Sequence, residues 1–416
     1  MIYPNIWLKD FIVQHLIYKL SYGDVKKLPL KAQILPGYAN WTDESWKLHL
    51  HGNVFYDAHL SNHTLDKWAH FLTLFQAKAW DLPRQERDHV RNTTQELITI
   101  TAPSDSLGSL SISASNTSNP AILPVPSISY TGSFEGWVPL KGVDGLINGD
   151  DAGSKIQRVE MGLMLANDAN ATNFLVPEHG ITVLSDVDDI LRVGQIWRIF
   201  HMIRDVFVKD FSPWMNMPEI YQDMLAAMPD AHFHYLTTCP QFLARKYIQF
   251  LWSHYPVGSL DTHPWDFTHF APIAFPRKFL LDRIFRTFPK RKFILVGDSS
   301  NQDVMIGYPE LLRKHPDQVQ CILMRNTTAT EKSDWYKYSP KHFKGLDRSK
   351  FMFFKLPDDL KGIDFAHGGC VNSSVVTDLN DHGNPVTQGF KVLWWRILCH
   401  FTHAVDLGCP EKKDRK

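Results

Sequence analysis

Carboxylates follow two short apolar segments, each at the point where the segment ends. Asp186 and Asp188 follow residues 181–184, and Asp298 follows residues 292–296. Side chains two residues apart in a strand point to the same side, so Asp186 and Asp188 can face one site. Neighbouring carboxylates repel one another unless a cation neutralises them. Magnesium prefers oxygen ligands, often a few carboxylates with a phosphate oxygen, so we predict a magnesium site for phosphate chemistry.

The second acidic segment contains two candidate residues. We predict that Asp298 is a metal ligand, and that Asp303 is either a second ligand or a residue that orients ligand and water. The plainer alternatives are a turn residue for Asp298 and a helix-start carboxylate, favoured by the helix dipole, for Asp303. Gly297 would permit a close backbone approach beside them.

A hydroxyl and a cation complete the candidate site. Thr237 ends a further predicted strand and could hydrogen-bond a phosphate oxygen, although a helix N-cap is the plainer interpretation of this segment. Lys278, with Arg277 as the fallback, begins the helix before the segment 292–296 and could stabilise the transferring phosphoryl charge. The basic residues 290–292 are predicted to be a solvated face instead.

The elements that must position these residues change in character near residue 176. Before it, short alternating segments separated by polar loops predict strands, and residues 61–92 have a helical period. From 176, apolar strands alternate with helices, which predicts a doubly wound, Rossmann-like parallel α/β sheet preceded by a β-rich domain. Ligands of such sheets bind at the carboxyl ends of the strands.

We therefore divide the chain into four parts. They are a helical arm (1–30), a β-rich domain with a helical insertion (31–175), a catalytic domain (176–365) and a C-terminal tail (366–416). The tail ends in an apolar segment around Trp394 and Trp395 that is too short to span a membrane. We expect it to pack on the core, with membrane docking as the alternative.

Composition excludes some classes of protein and leaves the compartment open. Lys plus Arg and Asp plus Glu both number 44, which argues against wholesale nucleic-acid binding. Five cysteines without a zinc or disulfide spacing are predicted to be reduced buried thiols, with one disulfide among the last three as the alternative. Seven Asn-x-Ser/Thr sequons, however, are typical of a secreted glycoprotein. We predict no transmembrane segment.

At this point the order of motifs resembles the haloacid dehalogenase superfamily of phosphatases. More narrowly, residues 183–189 and 288–299 are similar to the catalytic domain of the actin-patch-protein type of phosphatidate phosphatase. Residues 35–39 and 46–56 also resemble the upstream segment of that family. The resemblance covers most of residues 30–360.

The resemblance implies a haloacid dehalogenase-like fold and a role for each candidate residue. Asp186 would attack phosphorus and become a phospho-aspartate, and Asp188 would protonate the leaving alkoxide and then activate water. Thr237 would bind a phosphoryl oxygen, and Lys278 would balance the charge. Magnesium would be held by Asp186, Asp298 and the backbone carbonyl of Asp188, with Asp303 beside them.

The function implied is magnesium-dependent hydrolysis of a phosphomonoester, phosphatidate to diacylglycerol, at a membrane surface. The same resemblance implies a cytoplasmic or peripheral membrane location, against the sequons. Ile190 departs from the family, which normally has Thr there, and 237–239 replaces a Ser-Asn-Ser-like run. The alternatives are a weak or inactive phosphatase-fold scaffold and a phosphatase of soluble phosphomonoesters.

Overall fold

The structure is a computed structural model, and it describes most of the chain between residues 28 and 376. The described ranges are 28–57, 59–73, 81–97, 99–101, 111–115, 121–129, 132–150, 154–163, 170–195, 199–263, 276–331 and 339–376. The predicted helical arm, up to residue 27, lies outside them. So does the tail from residue 377, with Trp394 and Trp395.

A nine-stranded sheet occupies the first part of the described chain, as the alternating segments predicted. Its strands are β1 (Leu30–Ile34), β2 (Tyr38–Thr42), β3 (Ser45–Asp57), β4 (Thr99–Thr101), β5 (Ser111–Ser115), β6 (Ala121–Pro124), β7 (Ser133–Pro139), β8 (Gln157–Leu163) and β9 (Asn170–Val176). Their order is β1-β3-β2-β9-β8-β5-β6, and β4 and β7 also pair with β3. The pairs are antiparallel except β2 with β9.

The long strand β3 is the centre of this sheet and is buried on both faces in its middle. Leu48 and Leu50 face a core cluster that belongs to this sheet. His49 and His51 alternate with them and are also buried. Because neighbouring side chains of a strand point to opposite faces, the two histidines share one face.

The helical period over residues 61–92 corresponds to two helices rather than one. They are α1 (Asn62–Leu72) and α2 (Arg84–Leu97). Arg91 joins them through a two-pronged ion pair with Asp66, in which both N···O distances are 2.7 Å.

A six-stranded parallel sheet follows, which confirms the predicted mixed α/β architecture. Its strands are β10 (Ile181–Asp186), β11 (His232–Pro240), β12 (Ser259–His263), β13 (Lys292–Asp298), β14 (Val319–Arg325) and β15 (Phe351–Phe354). The order is β12-β11-β10-β13-β14-β15. The edge strand β12 was not predicted, since its short polar sequence lacks an apolar run.

Helices cover both faces of the parallel sheet. They are α3 (Ile199–Val208), α4 (Met217–Ala227), α5 (Ala244–His254), α6 (Pro276–Thr287), α7 (Gln302–Lys314) and the single turn α8 (Thr327–Thr330), with 3-10 turns at 241–243, 340–343, 348–350, 357–360 and 365–367. Ile294 and Val296 lie in one core cluster with α4 and α5. Phe293 and Leu295 lie in another with α6 and α7. Burial on both faces explains the continuous apolar run of β13.

The two sheets meet along the segment before β2. The Leu260 backbone N–H donates to the Pro36 carbonyl at 2.9 Å, and the Ser259 hydroxyl donates to the Gly37 carbonyl at 3.0 Å. A Cβ at Gly37 would lie 2.4 Å from the His49 carbonyl oxygen, so only glycine fits there. Strand β12 is thus held directly against the first sheet.

Two sequence-based expectations about this region were wrong. A disulfide joins Cys321 on β14 to Cys370, rather than leaving both as thiols, whereas Cys239 is a buried thiol. Arg291 is not on a solvated face: it is 1% exposed and its guanidinium donates to Thr182 and to backbone carbonyls, including that of Ile181. Local charge alone could not show that the carbonyls of the β10 segment would surround it.

Candidate active site

Parallel pairing brings the two acidic strand ends together. Ser185 of β10 pairs with Val296 of β13, so Asp186 lies beside Gly297 and one residue from Asp298. A Cβ at Gly297 would lie 2.5 Å from Val304 Cγ1, which agrees with the close approach predicted there. The carboxylates therefore project at the same edge of the sheet, where α/β proteins bind ligands.

Asp186 lies at the centre of this edge and is 1% exposed. Its Oδ1 accepts hydrogen bonds from the Val187 backbone N–H at 2.9 Å and from Arg277 Nη2 at 3.1 Å. Burial, opposed by Arg277 and reinforced by the charge of Asp188, raises the pKa of the Asp186 carboxyl. An anion held in a buried site at this energetic cost suits a nucleophile.

The cation beside Asp186 is Arg277, the fallback of the sequence analysis, and not Lys278. The Lys278 side chain is 70% exposed and its ammonium lies 3.9 Å from Glu310. Successive residues of α6 point in different directions, so only one of the two faces the sheet. Arg277 is buried, and its Nε and Nη1 have no hydrogen-bond acceptor among the described residues. Its two remaining donors are the kind of group that binds a phosphate.

Asp188 accepts hydrogen bonds from three side chains. Arg192 Nε donates to its Oδ1 at 2.6 Å, and Tyr247 donates to the same oxygen at 2.9 Å. Thr237 donates to Oδ2 at 2.9 Å. These donors fix the orientation of the carboxylate beside Asp186.

Thr237 lies at this edge as predicted, but its hydroxyl bonds to protein groups. Besides donating to Asp188, Oγ1 accepts the Cys239 backbone N–H at 3.1 Å. Strand β11 continues to Pro240, where the sequence predicted a helix, and a 3-10 turn over 241–243 precedes α5.

Asp298 is fully buried and only half of its carboxylate is bonded. Oδ1 accepts the Ser300 backbone N–H at 2.8 Å and the Ser300 hydroxyl. Oδ2 is buried and has no hydrogen-bond partner in the described ranges of the chain. Burial, followed by the charges of Asp186 and Asp189, raises the pKa of Asp298 well above its usual range.

Asp303 lies apart from the buried carboxylates. It is exposed in the first turn of α7, whose N-cap Asn301 accepts the Asp303 backbone N–H at 3.2 Å. This position matches the plainer alternative, a carboxylate at a helix start. It nevertheless interacts with Arg277. Burial lowers the pKa of that guanidinium, but electrostatic interactions with Asp186, Tyr308 and Asp303 raise it above its usual value.

The donor set fits a hard cation. Asp186 and Asp298 are buried oxygen donors that disfavour each other's charge, and no described residue bonds to Asp298 Oδ2. A divalent ion would supply the missing counter-charge. The structure does not gather all four predicted carboxylates, however: no three of these described residues have carboxylate oxygens all within 4.8 Å of one another.

Sequence reasoning missed several residues of the site. Arg192 forms an ion pair with Asp188 across the turn after β10, where no helical spacing in the sequence could have indicated it. Tyr247 is 59 residues from Asp188 and left no local signal. Arg325 is buried, donates to the Asp189 carbonyl and lies 3.7 Å from the Trp214 ring centre.

The turn after β10 is built around Asp189 and Ile190. Asp189 has a left-handed backbone (φ 58°), and its Oδ1 accepts the backbone N–H groups of Gly194 and Gln195 at 3.0 and 2.6 Å. Ile190, in place of the threonine of the resembled family, is fully buried in the core cluster that contains Val187. In this chain, therefore, Ile190 contributes to the turn by apolar packing.

The segment that contains this edge of the sheet is similar in sequence to known proteins. Residues 181–326, which include β10 and β13, match the model of the family described as phosphatidate phosphatase APP1, catalytic domain. The chain is 29% identical over 160 residues to phosphatidate phosphatase APP1 of Saccharomyces cerevisiae, which covers 37% of this chain and 27% of the yeast protein.

The matched region contains most of the candidate site. Asp186, Asp188, Asp298 and Arg277 all fall inside residues 181–326. Both matches support the prediction of a phosphoric monoester hydrolase. They also confirm the predicted resemblance: residues 181–326 of this chain are similar to the catalytic domain of the actin-patch-protein phosphatidate phosphatases.

Proposed function

We propose that this chain is a magnesium-dependent phosphatase with a haloacid dehalogenase-like catalytic domain, acting through a phospho-aspartate on Asp186. One observation carries the proposal. The buried Asp186 carboxylate lies between a guanidinium with two unbonded donors, that of Arg277, and a carboxylate with an unbonded oxygen, that of Asp298. Such a site offers a nucleophile, a clamp for phosphate and a place for a cation.

In the first step a carboxylate oxygen of Asp186 attacks phosphorus and the ester P–O bond breaks. The leaving alkoxide takes a proton from Asp188, which must carry one at that moment. In the second step Asp188 accepts a proton from water as the water oxygen attacks phosphorus. The bond between phosphorus and Asp186 then breaks, which releases inorganic phosphate and restores the carboxylate.

The remaining residues of the site bind the phosphoryl group or hold Asp188 in position. Arg277 would bind phosphoryl oxygens through Nε and Nη1, since both donors lack acceptors. Thr237 lies beside Asp188, and we retain its hydroxyl as a ligand for a phosphoryl oxygen. Arg192 and Tyr247 hold Asp188 in place.

Magnesium would be held by Asp186, Asp298 and the backbone carbonyl of Asp188, with Asp303 at the rim. When bound, it would neutralise charge on the transferring phosphoryl group. The two buried carboxylates then have a counter-ion, which offsets the cost of burial and the repulsion from neighbouring carboxylates that raise the pKa of both.

We propose phosphatidate as the substrate, by analogy with the named activity of the yeast relative. A phospholipid substrate requires the protein to act at a membrane surface. No helix in the described part of the chain is long and apolar enough to cross a bilayer.

The test is turnover by the purified full chain with magnesium and with excess chelator. The substrates are phosphatidate in phosphatidylcholine vesicles and, separately, soluble p-nitrophenyl phosphate. We expect magnesium-dependent release of phosphate from vesicles, and its loss in Asp186→Asn but not in the control Asp230→Asn, an exposed aspartate.

Each alternative gives a different result. Turnover of the soluble ester alone would indicate a phosphatase of soluble phosphomonoesters. No turnover of either substrate, in a folded protein with magnesium, would contradict the enzymatic proposal and favour a binding or scaffold role, in line with Ile190. Equal activity in Asp186→Asn would exclude the phospho-aspartate.

A further inference from the structure

A second group of potential metal ligands lies away from the candidate active site, where the two sheets meet. It consists of His49 and His51 on β3 and Asp261 on β12, and we call it the junction cluster. All three residues are buried, and one potential ligand atom from each lies within 4.8 Å of the others. Among the described residues, no other three His, Cys, Asp or Glu side chains come together this closely.

Within the part of the chain that the structure describes, two imidazole nitrogens of the junction cluster have no hydrogen-bond partner. His49 Nε2 lies 3.0 Å from Glu135 Oε1, so it donates to that carboxylate and its Nδ1 carries the lone pair. That Nδ1 is buried and unpartnered, as is His51 Nε2. Buried polar atoms normally find partners, so a pair left without them needs a reason.

The spacing suits a transition-metal ion. His51 Nε2 lies 3.9 Å from Asp261 Oδ1, too far for a hydrogen bond. Two ligands at zinc bond lengths of about 2.0–2.2 Å and a tetrahedral angle lie roughly 3.3–3.6 Å apart. A small contraction would bring the three side chains onto one ion.

The charge around the cluster leaves room for a cation. Two carboxylates, Asp261 and Glu135, share one guanidinium, that of Arg283, whose Nη2 lies 2.9 Å from Asp261 Oδ1. Burial lowers the pKa of His51 to about 4, so its imidazole is neutral at physiological pH, as a metal ligand must be. The two carboxylates therefore outnumber the one arginine that is bonded to both.

Neighbouring residues form hydrogen bonds that orient the potential ligands, and a cavity provides access for an ion. Glu135 bonds to the far nitrogen of His49, and His234 Nε2 lies 3.1 Å from Asp261 Oδ2. Carboxylate–histidine pairs of this kind orient metal ligands in known sites. A cavity of about 210 Å³, lined by residues that include His51, Glu135, Thr262 and Arg283, reaches the cluster.

We propose that the junction cluster binds a transition-metal dication, with zinc as the best fit, through His49 Nδ1, His51 Nε2 and Asp261 Oδ1. Two imidazoles and one carboxylate are a ligand set that zinc accepts and magnesium, which prefers oxygen, does not. The ion would tie β3 of the first sheet to β12 of the second. This site is independent of the proposed phosphatase chemistry.

Titration of the chelator-treated full chain with zinc sulfate, followed by calorimetry and by metal analysis after desalting, tests the proposal. We expect one tightly bound zinc per chain. His51→Asn should weaken its binding at least 100-fold, and Glu135→Gln, which leaves all three ligands in place, about 10- to 100-fold. His63→Gln, which removes an exposed histidine of α1, is the control and should bind as the unmodified chain does.

Asp186→Asn separates this site from the candidate active site. Zinc that is lost in Asp186→Asn and kept in His51→Asn would place the ion at the active site and overturn the proposal. Absence of zinc binding at micromolar concentration would overturn it as well. If His51→Asn fails to fold, the zinc affinities of Glu135→Gln and His63→Gln still test the proposal, and equal affinities would overturn it.

Discussion

The candidate active site and the junction cluster each contain a buried aspartate, but the pKa of the carboxyl is shifted in opposite directions at the two sites. At the active site, Asp298 has an oxygen without a partner, and burial and neighbouring carboxylates raise its pKa. In the junction cluster, both oxygens of Asp261 are bonded. Burial raises the pKa of Asp261, but Arg283 and His234 outweigh it and hold the pKa well below the usual range. The first site carries repulsion that a ligand can relieve, whereas the second anchors two sheets.

The largest expected effect comes from removing the charge of the junction aspartate. Asp261→Asn should lower the free energy of unfolding by about 3–5 kcal/mol, because Arg283 and His234 both lose this buried anionic partner and Arg283 keeps only Glu135. The depressed pKa means that this stability is present at neutral pH and is lost as pH falls through the acid range. Urea unfolding at pH 7 and pH 4 measures it. Asp230→Asn, on the surface, should change stability by less than about 0.5 kcal/mol.

At the active site, two adjacent basic residues, Arg277 and Lys278, should respond differently to substitution by alanine. Arg277→Ala should reduce kcat about 10²–10³-fold, the usual cost of a lost donor to a developing charge. Lys278→Ala should change it less than about twofold, because that side chain is exposed. Steady-state kinetics decide, and a greater loss in Lys278→Ala would restore the sequence-based assignment.

Asp298→Asn is the matching substitution at the active site, and we expect it to raise the free energy of unfolding, whereas Asp261→Asn lowers it. Without magnesium, at pH 7, this variant should be more stable than the unmodified chain, because burial and the charge of Asp186 disfavour the ionised Asp298 carboxylate. A raised pKa penalises the ionised form, so the gain should shrink as pH falls and both states become protonated. Magnesium should stabilise the original chain and not the variant, and thermal unfolding would show both effects. A destabilised variant would mean that the two buried aspartates behave alike.

The smallest expected effect concerns the orientation of Asp188. Tyr247→Phe removes one of its three donors, so kcat should fall about five- to tenfold, the cost of one hydrogen bond. KM should hardly change, and the pH profile of kcat should shift, because Asp188 exchanges a proton in both proposed steps. An unchanged pH profile with a raised KM would point to a role in substrate binding instead.

The sequence by itself determined the acidic edge of the parallel sheet. Asp186, Asp188 and Asp298 stand directly after apolar runs, and parallel strands bring their carboxyl ends to the same edge of the sheet. Local order along the chain was enough there, because each residue needed only its own strand to place it.

Only the tertiary structure decided the partners of those residues. Whether Arg277 or Lys278 faces Asp186 depends on how α6 is rotated against the sheet, and Tyr247 reaches Asp188 across 59 residues. The junction cluster joins β3 to an edge strand that was not predicted. Contacts between distant segments depend on the packing of whole elements, and hydrophobic periodicity does not specify that packing.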